Sequence, residues 1–120
     1  MKASSRTARL IAELMLSKKA EDVVILDLRR LTDIAEYFVL CSGQTDLHVR
    51  AIVDGVLEGM EAEGIRPWFV EGYEDARWVV LDFVDVVVHV FQPEVRTFYN
   101  LERLWGDAPR EEITEVIRCS

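Results

Sequence analysis

The residues able to do chemistry in this chain are few, and most stand apart from one another. His89 sits at the most apolar point of VVLDFVDVVVHVFQ, residues 79–92, a run that also holds Asp82 and Asp85. Two aspartates flanking a turn can be offered as a cation pair, as can His48 with His89 or Cys41. None of these sets has a recognised ligand spacing, and solvated loop carboxylates account for the aspartates more simply. A Cys41 nucleophile with His89 as its base requires the two to meet in space, and the apolar run around Cys41 raises a thiol pKa when activation needs it lowered. The turn CSGQTD, residues 41–46, lies between a strand-like and a helix-like segment, where backbone N–H groups attract anions. It carries one glycine and no P-loop lysine, so nucleotide binding, or an enzyme acting on a nucleotide at 41–46, is kept only as the alternative. The expectation is a protein without catalytic residues, metal or cofactor, whose chemistry is that of a surface.

Composition bounds that surface. The 120 residues fit one domain, long enough to bury a core without disulfide or metal. The formal charge is −8, from 22 acidic and 14 basic side chains. That excess argues against direct nucleic-acid binding, which needs clustered positive charge, and suits a basic partner. Cys41 and Cys119 form no CxxC pair and read as free thiols of a reducing compartment. No stretch is apolar for the length of a membrane span, and residues 1–22 lack the unbroken apolar core of a secretory signal, so the expected location is cytoplasmic.

The elements that must position the surface follow from periodicity. Residues 5–19 place Ala8, Ile11, Leu14 and Met15 on one helical face. VVILDL at 23–28 and EYFVLCS at 36–42 are strands. A second helix is predicted over about 46–63, capped by Thr45 and Gly64, with Leu47, Ile52, Val53, Val56, Leu57 and Met60 inward. RPWFVEG, RWVVLD and VVVHVFQ give three more strands, and Pro93 opens a third helix that Gly106 closes. The predicted fold is a single α/β (α+β mixed) domain with a five-stranded mixed sheet, in the order α-β-β-α-β-β-β-α, over 1–108. Residues 109–120 read as a charged C-terminal tail.

Side-chain alternation then sorts the fourth and fifth strands. A hairpin centred between Phe83 and Val84 sets Leu81 opposite Val86 and Trp78 opposite His89, with a four-residue loop because Phe83 and Val84 suit positive φ poorly. One face carries Val79, Leu81, Val86, Val88 and Val90 and belongs to the core. The other carries Trp78, Val80, Val87, His89 and Phe91, with Asp82 and Asp85 near its loop end. Aromatic rings with polar handles are characteristic of interfaces, and three helices are few for five strands. Part of this second face is therefore expected to stay open for a partner.

EYFVLCSGQTDLHVRAIVDGV, the EG at 71–72, WVVLDFVDVVVHVFQPEVRTFYNLERLWGDA and the early VVILDL together resemble the ribosomal silencing factor family, also called Iojap-like, over about residues 6–108. The resemblance implies a nucleotidyltransferase-like topology without transferase activity. Ile52, Val53 and Asp54 stand inside a helix, where a transferase of that fold would carry its carboxylate pair on a strand. It further implies binding to the large ribosomal subunit through its basic fourteenth protein, steric blocking of small-subunit joining, and repression of translation under nutrient limitation. A homodimer built on the same patch is the competing occupant. Trp78, Asp82, His89, Phe91, Arg96, Tyr99, Glu102 and Trp105 stand at motif places. Of these and Glu71, the expected partner contacts are Trp78, His89 and Phe91 as an aromatic patch, Asp82 and Glu71 as acidic partners, and Tyr99 and Glu102 from the third helix. Phe98, Leu101 and Trp105 are expected to pack inward.

Overall fold

The computed structural model describes residues 3–114. Its elements are α1 (Ala3–Ser17), β1 (Glu21–Asp27), β2 (Tyr37–Ser42), α2 (Asp46–Ala62), β3 (Phe69–Glu71), β4 (Trp78–Asp82), β5 (Val86–Phe91), α3 (Pro93–Tyr99), α4 (Leu101–Leu104) and β6 (Arg110–Ile113). The strands form one mixed sheet in the order β3-β4-β5-β2-β1-β6, antiparallel throughout except for the parallel pair β2 and β5.

The sheet has six strands, not the expected five. The sixth lies in the segment read as a tail, where Arg110–Ile113 pairs with β1 and sets Arg110 opposite Leu26 and Ile113 opposite Val23. Its sequence, REEI, has no alternating apolar signal. What recruits it is the otherwise unpaired edge of β1, and its charges guard the new edge against further pairing. Residues 115–120, including Cys119, lie outside the described residues.

Helices α1 and α2 cover one face of the sheet. Ala8, Ile11 and Met15 from α1, and Val49, Ile52, Val53, Val56 and Met60 from α2, pack with Val39, Cys41, Val79, Leu81, Val88 and Val90. The caps of α2 are those its sequence announces: Thr45 accepts a hydrogen bond from the His48 N–H, and Gly64, φ +79°, takes the left-handed position just past the end. Leu47, expected inward, is 77% exposed. It stands two residues from buried Val49, about 200° around the helix, and so on the opposite side.

The β4–β5 hairpin pairs Trp78 with Phe91, Val80 with His89 and Asp82 with Val87, two residues away from the expected register. Because strand side chains repeat every two residues, a shift of two leaves both faces as sorted. Four residues, 83–86, separate the last pair, and Val84 accepts φ +76° despite its branched side chain. The Asp82 carboxylate holds this turn by accepting the Val84 N–H at 2.7 Å.

The third helix is broken. Asn100 adopts a left-handed conformation, φ 48°, ending α3 and starting α4, and its side chain accepts the Arg103 N–H. Positions 98, 101 and 105 therefore do not share one helical face. Leu101 and Trp105 pack against the core, whereas Phe98 is 79% exposed.

Candidate functional site

The second face of the sheet is covered over only part of its width. Val95 from α3, with Leu101 and Trp105, packs on Val24, Leu26, Phe38, Leu40 and Phe91, which belong to β1, β2 and β5. Toward β4 and β3 this cover ends. Trp78, Val80 and Asp82 on β4 are half-buried, and all three residues of β3 are exposed. Register sets Phe69 opposite Asp82 and Glu71 opposite Val80, so Phe69 and Glu71 extend the same open face to the sheet edge. Gly72 makes the strand connection there: its φ is +81°, and a Cβ would meet the Trp78 carbonyl oxygen at 2.3 Å.

Trp78 is the centre of this surface. Its ring stacks on Phe91 at 5.0 Å and 30° and meets Tyr99, 55% exposed at the end of α3, at 4.9 Å. Phe98 continues the aromatic surface with an edge contact to Tyr99 at 5.0 Å. The Trp78 indole N–H donates to His89 Nδ1 at 3.1 Å, reaching diagonally across the hairpin from a residue that pairs with Phe91.

Three expected contacts are placed elsewhere. Phe91 is fully buried beneath Trp78 and the α3–α4 segment, and His89 is 6% exposed, so neither reaches the surface. Burial pulls the His89 pKa down to about 4, keeping the ring neutral. Glu102 faces inward, where Arg96 meets both its oxygens, at 3.1 and 3.0 Å, and Arg110 donates to Oε2 at 2.8 Å. Burial works to raise the Glu102 pKa, and the two guanidiniums outweigh it, holding the carboxyl below its usual range. Arg96, itself buried, also donates to the Asp22 carbonyl and to Ser42 Oγ. This network ties α3, α4, β1, β2 and β6 together, so Glu102 serves the fold at the β1–β6 side of the sheet. The accessible set is thus Trp78, Tyr99, Asp82 and Glu71, joined by Phe69 and Phe98. Sequence alone did not point to these last two, although the exposed WF pair at 68–69 beside an edge strand was an available signal.

The Cys41 thiol is buried and its pKa is pushed up to about 12 by desolvation, which leaves it unreactive. Among the described residues no group of three or more His, Cys, Asp or Glu side chains is placed to hold a metal ion. No helix among them is long and apolar enough to cross a membrane.

Comparison with known proteins places this geometry. The family model described as "Ribosomal silencing factor during starvation" matches residues 1–119. A ribosomal silencing factor from Halalkalibacterium halodurans is 47% identical over 100 residues, covering 83% of this chain and 86% of the relative. A mouse protein named for mitochondrial assembly of the ribosomal large subunit is 28% identical over 99 residues, covering 80% of this chain and 43% of its own length. A crystal structure from Chromobacterium violaceum superimposes with a TM-score of 0.85 at 28% identity, over 100% of this chain and 97% of that one. With a family match across nearly its whole length and a close relative over most of it, the chain belongs to the ribosomal silencing factor family.

Proposed function

We propose that the open part of the sheet face docks the basic fourteenth protein of the large ribosomal subunit, and that the bound chain keeps the small subunit from joining. The observation that carries this reading is the Trp78–Tyr99 surface at the margin of the helical cover, flanked by Asp82, Glu71 and Phe69. Half-exposed aromatic rings supply contact area with little side-chain entropy to lose, and peripheral carboxylates meet Lys and Arg of a basic partner. The net charge of −8 favours encounter with such a protein. Steric exclusion requires affinity and bulk but no bond chemistry, so the chain acts as a binding module and not as an enzyme. The nucleotidyltransferase-like scaffold implied by the family resemblance serves as a support. The consequence is lowered translation under nutrient limitation, in keeping with the family's description.

Co-sedimentation with purified large subunits tests the docking step. The unmodified chain is expected to travel with them, and Trp78→Ala to weaken the association by at least about tenfold, as removal of a central aromatic anchor does, while keeping a native circular dichroism spectrum. Equal binding by Trp78→Ala and the unmodified chain refutes the assignment of the face. Dimers that exclude the subunit at all concentrations would give that face to a second copy instead.

A further inference from the structure

We infer that His89 is a positioning residue: by accepting the Trp78 indole N–H it fixes the orientation in which Trp78 meets a partner, while making no contact with the partner itself. The inference rests on the docking reading above and assigns a residue that the buried geometry would otherwise leave without a purpose.

His89 is not a surface residue. At 6% exposure it cannot touch a docked protein. Nor is it the side chain that packing selects. Its pairing partner is Val80, and Val87 and Phe91 flank it on the same face, so an aliphatic residue would fill the position without carrying nitrogens out of water. Its Nε2 has no hydrogen-bond partner among the described residues. With Nδ1 accepting from Trp78, the neutral ring carries its proton on Nε2, and that proton is unused. The ring that abuts His89 most closely is Phe38, at 4.6 Å between centroids, which offers no conventional acceptor. Among the described residues, one hydrogen bond, to Trp78, is thus the polar contact that sets the imidazole apart from an apolar ring in return for its desolvation.

That bond supplies what the ring contacts of Trp78 lack. Stacking on Phe91 and contact with Tyr99 define where the indole plane lies, but both tolerate a flip that exchanges its two edges. An acceptor at 3.1 Å from Nε1 selects one edge. The same edge of Trp78 is then turned inward in every molecule, and the opposite edge is offered to the partner in a prepaid orientation.

The test uses full chains carrying His89→Leu or His89→Asn. Leucine fills the space without an acceptor, whereas the Asn Oδ1 lies near the position of Nδ1 and can take the indole proton. Three readouts are taken: affinity for purified large subunits, thermal midpoint, and hydrogen exchange of the indole N–H resonances, with Trp68 and Trp105 as internal controls. His89→Leu is expected to melt no lower than the unmodified chain, to speed Trp78 indole exchange, and to weaken affinity about tenfold, or roughly 1.4 kcal/mol. His89→Asn is expected to recover both exchange protection and affinity. Unchanged affinity in His89→Leu overturns the inference, as does a loss that His89→Asn fails to restore. Should the unmodified chain itself not bind large subunits, the docking reading fails and takes this inference with it. Normal binding that is indifferent to His89 sinks the inference alone.

Discussion

A buried imidazole has to remain neutral, and the cost of keeping it so depends on pH. The rings packed on His89 are Phe38, Trp78 and Phe91, none of them charged, so desolvation alone lowers its pKa from 6.5 to about 4. In the unfolded chain the ring takes up a proton near pH 6.5, whereas the folded ring resists until about pH 4. Between these limits the unfolded state binds more protons. The contribution is thus unfavourable to folding as pH falls from 6.5 toward 4, and levels off below. Its full size is roughly 3 kcal/mol. Urea melts at pH 7 and pH 4.5 should show the unmodified chain losing most of this amount in excess of what His89→Leu loses, and equal losses would deny that His89 is buried and neutral. Residue types were legible in the sequence to this depth: the apolar run around Cys41 implied a raised thiol pKa, and burial pushes it up to about 12, while the apolar setting of His89 was visible. The inward turn of Glu102 was not, because its partners Arg96 and Arg110 are brought to it by a helix break and a strand whose placement local spacing does not encode.

Among the elements, the β4–β5 hairpin shows most clearly what alternation decides and what it leaves open. Valines and aromatics separated cleanly onto two faces, and that separation survived a two-residue change of register because the period is two. The register itself is set by the turn. There the sequence offers Phe83 and Val84, neither of which signals a turn type, and Val84 is held at φ +76°. Glycine carries no penalty in that region, whereas a β-branched residue does. Val84→Gly should accordingly stabilise the fold by about 1 kcal/mol, raising the thermal midpoint by several degrees. A lowered midpoint would contradict the strained turn. Strand β6 was illegible for a different reason: three of its four residues are charged, and its conformation comes from pairing with β1 and from ion pairs such as Arg9 with Glu111 at 2.7 Å. The break at Asn100 likewise depends on a backbone conformation, φ 48°, that Asn tolerates but does not demand. It is this break that turns Phe98 outward, beside Tyr99 on the proposed docking surface.

At the scale of the whole molecule, steric exclusion needs only a rigid body with one adhesive surface. The described chain spans 35 × 35 × 30 Å, enough to keep two large surfaces from closing once it is seated on one of them. The proposed docking surface lies at the β3–β4 end of the sheet, away from the edge guarded by β6 and on the side opposite α1 and α2. Acidity was legible from composition and points to the class of partner, but which part of the second face stays open depends on where α3 and α4 settle. The central claim is that docking of this body on the large subunit excludes the small one. Light scattering from purified subunits mixed under joining conditions, with the chain added first to the large subunit, measures this directly. The yield of joined ribosomes is expected to fall as the chain is titrated in and to be restored when Trp78→Ala replaces it. Joining that proceeds unchanged at saturating concentrations of the unmodified chain would contradict that claim.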